Sequence, residues 1–307
     1  MTVPSAHFEP EFAPFELLPL LIPAVLYWWR AAHLAERGRP VSVWRQASFG
    51  SGLLLIAGSL VGLGELADEL FWPHMLEHLL IGDLAAILLV LGLTGPLLQP
   101  ILAIKPFDRL RVLAHPAVAL PLWAIDLYVW HIPTLYEATL TSAPIHGLEH
   151  AMFIFFGCVM WMPVLGPLPT PAWFNAGWKV IYVIGVRFVG TALGNALIWS
   201  GTVFYPTYEA GDAAHGIAPI TDQGIAGAIM MGEGMIVSLA VLTWAFLKWA
   251  ADTTERQRLL DLAEERGIEL DEARAARAVA AGQAKHLEER LRAGNPRYPV
   301  PRGPVDP

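Results

Sequence analysis

Long apolar blocks separated by short polar stretches organise this chain. A helix needs roughly 20 mostly apolar residues to cross about 30 Å of hydrocarbon. Seven segments reach that length, near 15–35, 44–64, 73–98, 116–135, 146–166, 178–200 and 223–250. They are too long for barrel strands and do not alternate, so strands are not expected. The pattern predicts an all-α integral membrane protein, a seven-transmembrane-helix bundle over 15–250. The stretch Gly166-Pro-Leu-Pro-Thr-Pro-Ala reads as a loop, because its prolines lack amide donors. From 251 to 294 the chain turns to Glu, Arg and Ala, with Leu259, Leu260, Leu262, Leu270, Leu287 and Leu291 interspersed. That predicts one or two exposed helices, broken near Gly267 and Gly282. Residues 295–307 are proline-rich and expected to be disordered.

Composition agrees with the blocks. Hydrophobic residues make up 55% of the chain and charged residues only 16%, with a mean hydropathy of +0.46. A soluble domain carries about 25% charged residues. Many of the tryptophans and tyrosines stand at block ends, as interfacial belts do. Residues 1–14 are acidic and proline-rich without a basic start, so no cleavable signal peptide is expected. The single cysteine, Cys158, excludes an internal disulfide and any thiolate cluster.

Lys and Arg set the expected orientation. The first loop carries Arg37, Arg39 and Arg45, the third Lys105, Arg109 and Arg111, and Lys179 borders the fifth. The N-terminus and the loops near 65–72, 136–145 and 201–222 carry none. Strict alternation predicts residues 1–14 outside and the C-terminal tail in the cytoplasm.

This orientation collects histidines on the outer side. His74-Met-Leu-Glu-His78 opens the third span and His146-Gly-Leu-Glu-His150 the fifth. Each pair is spaced i, i+4, which puts two imidazoles on one helix face. His131 lies near the outer end of the fourth span, and His7 and His215 lie in outer segments. Imidazole is a borderline ligand for copper, zinc, iron and nickel. His74, His78, His131, His146 and His150 are therefore the candidate metal ligands. Glu77 and Glu149 are candidate orienting partners. Met75 and Met152 are candidate auxiliary ligands, and thioether plus imidazole without thiolate favours Cu(I) over zinc. The plain alternative is that the histidines are interfacial hydrogen-bonders and the methionines packing residues.

Asp83 and Glu233 lie about ten residues inside their spans, roughly 15 Å deep at 1.5 Å per residue. Arg187 lies inside the sixth span, and Asp126 is nearer the outer surface. Charges at such depth pair or line a polar cavity. Pairing of Arg187 with Asp83 or Glu233 is expected, as a structural lock rather than an ion route.

Several co-linear motifs resemble the CtaG family of polytopic cytochrome c oxidase assembly factors. They are His74-Met-Leu-Glu-His-Leu-Leu80 with Leu89-Val-Leu-Gly-Leu93; Trp130-His-Ile-Pro-Thr-Leu-Tyr136; and His146-Gly-Leu-Glu-His150 running into Trp161-Met-Pro-Val-Leu-Gly-Pro167. Tyr205-Pro-Thr-Tyr208 and Asp222-Gln-Gly-Ile-Ala-Gly227 follow in order. Glu77 stands where the family suggests Gln, and Glu233 where it suggests a neutral residue. The resemblance spans about 15–250 and implies a non-enzymatic, multi-pass protein of the bacterial plasma membrane. It also implies a role in maturing a haem–copper oxidase, with transient copper delivered to the subunit carrying the binuclear centre. A copper donor protein and the lipid bilayer complete the expected partners; no nucleic acid is expected. From the residues alone, two other classes stay open. One is a histidine-ligated metalloenzyme of di-iron oxidase type, with haem ligation as a variant. The other is an ion or proton transporter, which usually shows inverted repeats and broken helices; neither is evident in the sequence.

Overall fold

The computed structural model describes residues 13–105, 107–171, 173–280 and 282–294. The expected outer segment up to residue 12, His7 and the proline-rich end at 295–307 lie outside the described residues. Among the described residues every regular element is helical and none is a strand.

Six helices are long and apolar enough to cross a membrane. They are α1 (Ala13–Glu36), α2 (Val43–Glu69), α3 (Phe71–Gly92), α7 (Ala143–Leu165), α8 (Ala176–Trp199) and α10 (Pro219–Glu265). Shorter helices intervene: α4 (Gly95–Leu102), α5 (Pro116–Trp130), α6 (Pro133–Thr141) and α9 (Glu209–His215). The pair α5 and α6 meets the length test together but is bent by 70°. The protein is thus a multi-pass membrane protein of six or seven spans. Outward faces carry Leu54, Phe188, Trp199 and Ile236 exposed. An apolar exterior of this kind suits lipid rather than water.

Three boundaries differ from the sequence pattern. The third span ends at Gly92, not near 98, because Leu93 and Thr94 are extended and Thr94 leads into α4 with proline in its first turn. The fourth span is broken, although no broken helix is expected from the sequence. Pro133 disfavours helical geometry at Ile132, which sits at φ −66, ψ 123. The seventh helix does not stop near 250 but runs 47 residues to Glu265.

The chain divides into two compact units, 1–238 and 239–307. In the first, Tyr27 stacks on Phe49 at 3.9 Å and donates to the Gly92 carbonyl at 3.0 Å. Arg45 donates to the Leu91 and Leu93 carbonyls at 2.9 and 2.7 Å, placing a cation at the carbonyl end of α3. Inside α3, residues Leu80–Leu84 form a π-helical turn. Gly82 of that turn meets Gly157 of α7 so closely that a Cβ at 157 would lie 1.9 Å from the Gly82 carbonyl oxygen. This crossing fixes the distance between the two histidine-bearing helices.

In the second unit, α10 is followed by α11 (Glu272–Ala280) and α12 (Ala284–Arg292). Gly267 and Gly282 take φ of +63 and +67 at the two breaks, where glycine is the residue without a Cβ penalty. Leu259, Ala263, Ala278, Leu287 and Leu291 form a hydrophobic cluster. The tail is therefore packed on itself rather than a set of separately exposed helices. Glu288 bonds Arg258 and, at 2.7 Å, Arg292. The Arg258 guanidinium holds the Glu288 carboxyl below its ordinary value.

Candidate metal centre

The i, i+3, i+4 spacing presents His74, Glu77 and His78 on one face of α3, and His146, Glu149 and His150 on one face of α7. The faces meet. Ring centroids lie 4.3 Å apart for His74–His78 and 4.2 Å for His146–His150 along the helices. Across them they are 5.4 Å for His74–His146 and 5.3 Å for His78–His150. One nitrogen from each of the four can be chosen so that all lie within 4.8 Å of one another. A tetrahedral ion with nitrogen ligands at about 2.0–2.1 Å needs nitrogens roughly 3.4 Å apart. Small side-chain rotations close that gap.

The glutamates cross over. His78 Nε2 lies 3.8 Å from Glu149 Oε2, and His150 Nε2 lies 3.4 Å from Glu77 Oε1. Both carboxyls are buried, Glu149 completely. These separations exceed a good hydrogen bond. Neither ring nitrogen of His78 or His150 has a hydrogen-bond partner, and both rings are buried. Buried polar atoms are nearly always satisfied. His78 and His150 therefore each keep a ring nitrogen that could serve a cation, beside Glu77 and Glu149.

Neighbouring residues orient the clustered histidines. His74 Nδ1 pairs with the Tyr208 hydroxyl at 3.0 Å, and that hydroxyl with Tyr136 at 2.9 Å. His74 Nε2 faces the cluster without a hydrogen-bond partner. Burial pushes the Tyr208 hydroxyl well above its ordinary pKa, so the phenol stays protonated. Tyr205 donates to the His131 carbonyl at 2.9 Å. Asp222 accepts from the backbone amides of Phe71 and Trp72 at 2.7 and 2.9 Å, capping α3 one turn before His74. Gln223 donates to the Leu197 and Thr202 carbonyls, each at 3.0 Å, and accepts from Phe204 at 2.7 Å. Sequence reasoning assigned no role to Tyr136, Tyr205, Tyr208, Asp222 or Gln223. The signal was the polar and aromatic residues in Tyr205-Pro-Thr-Tyr208 and Asp222-Gln.

His131 stands apart from the four. Its Nδ1 lies 2.7 Å from the Leu127 carbonyl, which can only accept, so Nδ1 carries the proton and Nε2 is bare. Its ring centroid is 6.2 Å from that of Phe153, which itself lies 4.7 Å from His78. Met75 is buried and, like His78, lines a partly enclosed cavity, whereas Met152 packs against the aromatic cluster. His215 contacts Glu69 at 2.6 Å on the exposed surface.

Deeper in the first unit, Asp83 accepts from Trp161 Nε1 at 2.6 Å and lies next to Glu233. Arg187 interacts with both carboxyls electrostatically and donates to the Met231 carbonyl at 3.3 Å. The three groups therefore lie close enough to influence one another. Asp126 is tied separately, accepting from Trp130 Nε1 at 3.1 Å.

A family model described as cytochrome c oxidase caa3 assembly factor (Caa3_CtaG) matches residues 25–252. No curated protein and no solved structure matches the chain.

Proposed function

Since the chain belongs to the cytochrome c oxidase caa3 assembly factor family, we propose that it matures its oxidase partner by capturing copper as Cu(I) and passing it on. The cargo sits between α3 and α7 on His74, His78, His146 and His150. In this reading the site faces the outer side of the bacterial plasma membrane, an orientation supported by the charge alternation of the loops, and receives its ion from a copper donor. The receiver is the oxidase subunit that carries the binuclear centre. The observation that carries the reading is the convergence of four imidazoles within 4.8 Å.

The chemistry is capture and exchange, without turnover. Neutral imidazoles bind a soft monovalent ion, and the buried Glu77 and Glu149 supply negative charge that offsets its desolvation. In the same positions they steer the two nearest rings. Release needs only stepwise replacement of imidazoles by the receiver's ligands, which no strong thiolate opposes. A strain carrying His78→Ala and His150→Ala tests this. Its oxidase is expected to assemble with depleted copper, restored in part by added copper. Wild-type copper content and activity in that strain would refute the proposal.

One observation favours a second reading. The crossed, buried carboxylates give each half of the site a His-x-x-Glu-His set, which also suits two harder ions such as iron. Two tightly bound irons per chain after aerobic purification would favour it over copper transfer.

A further inference from the structure

The geometry points to a second, softer cation site next to the first, in the cavity formed by His131, Met75, Met160 and Met230, which takes Cu(I) from the four-histidine cage through the shared residue His78. This inference rests on the reading of Cu(I) as the cargo.

The cavity has a volume of about 60 Å³ and is lined by His78, His131, Met75, Met160, Met230 and Asp83, among others. A single water occupies about 10–15 Å³ on this measure, so the space holds an ion together with rearranging ligands. The three methionines come from three helices, α3, α7 and α10, and all are buried. Methionine is ordinarily a gap-filler. Here three methionines line one gap, together with Leu79, Trp123, Leu127 and Phe153, and leave it open. His131 adds the decisive group: its Nε2 is buried and without a hydrogen-bond partner, while its Nδ1 is pinned to Leu127. A bare imidazole nitrogen with thioethers, and no thiolate, selects Cu(I) or its analogue Ag(I) over zinc.

His78 belongs to both places. It is one of the four clustered imidazoles and also lines the cavity. Transfer between them forms metal–sulfur and metal–His131 bonds as metal–imidazole bonds of the cage break. The oxidation state of the ion is unchanged, so no redox partner is required. The two sites in series separate a nitrogen-rich entry from a sulfur-rich interior, and the second holds the ion more weakly because Glu77 and Glu149 lie beside the cage histidines.

The test uses full-length protein in lipid nanodiscs, titrated anaerobically with Cu(I), and in parallel with Ag(I), against a competing chelator. X-ray absorption follows at each equivalent. The wild type is expected to bind two ions, the first with nitrogen scattering alone and the second with added sulfur scattering. Met160→Leu with Met230→Leu conserves volume and apolarity. It is expected to lose the second ion and the sulfur signal while keeping the first. Met75→Leu with Met230→Leu serves as an independent variant should the first pair fold poorly, judged by its melting temperature. Saturation at one ion with nitrogen ligation only would overturn the second site and leave the cage standing. One ion with sulfur scattering that the leucine variants abolish would keep the methionine site and overturn the cage. No bound ion would overturn both.

Discussion

Replacing Gly157 by alanine tests the link between helix packing and the metal centre. The new Cβ would sit 1.9 Å from the Gly82 carbonyl oxygen and 2.9 Å from its carbon, whereas real Cβ contacts stay above 3.0 Å. Both obstacles are backbone, so no side chain can yield. The helices α3 and α7 must separate by roughly 1 Å, at an overpacking cost of about 1–3 kcal/mol. That separation acts where His74 faces His146 and His78 faces His150, at centroid distances of 5.4 and 5.3 Å. The four nitrogens already need to close from 4.8 Å to about 3.4 Å around one ion. A 1 Å displacement of groups that must converge costs on the order of 100-fold. Chelator competition on purified Gly157→Ala should show Cu(I) affinity reduced by about that factor. Gly147→Ala on the same helix, whose Cβ would meet nothing within 4 Å, should bind like the wild type. Wild-type affinity in a folded Gly157→Ala protein would refute the claim that this crossing sets the site.

Other residues give further outcomes. Tyr208→Phe removes the hydroxyl that joins His74 to Tyr136; it should weaken Cu(I) binding by about 10–100-fold, the usual cost of losing a ligand-orienting partner. Asp222→Ala removes two amide contacts at the start of α3; a loss of about 2–3 kcal/mol is expected, seen as a lower melting temperature, with Asp222→Asn intermediate. Asp212 is buried beside Asp222, and burial first, then that carboxylate, push its pKa up to about 6. A raised carboxyl stabilises the fold when protonated, so its contribution is present below about pH 4 and lost as pH rises through 6. Asp212→Asn should therefore melt higher than the wild type at pH 7.5 and equally at pH 4, and equal melting at both pH values would contradict this.

The apolar blocks made the helical class and most of the spans legible, because length and uninterrupted apolarity report directly on a bilayer. The His-x-x-Glu-His spacing made the two halves of the site legible for the same local reason: i, i+3, i+4 fixes one helix face. Local spacing says nothing about which faces meet. Whether the five histidines converge was open, and the structure brings four together and sets His131 beside the methionines. The crossed glutamates, Tyr208 on His74 and Asp222 beneath Phe71 depend on contacts 70 or more residues apart. Ile132-Pro133 did carry a readable break, which the strong apolar run around it outweighed. The tail's charge density read as solvation, while its leucines at 259, 287 and 291 pack together once Gly267 and Gly282 turn the chain.

If the two helix motifs form one copper-capturing cage, imidazoles from both helices surround a single ion. X-ray absorption at the copper edge, on protein loaded with one equivalent of Cu(I), tests it most directly. Three or four imidazole nitrogens are expected around the ion, with loss of that signal in His78→Ala with His150→Ala. Copper that is not retained above background, or that is held without imidazole, would contradict it.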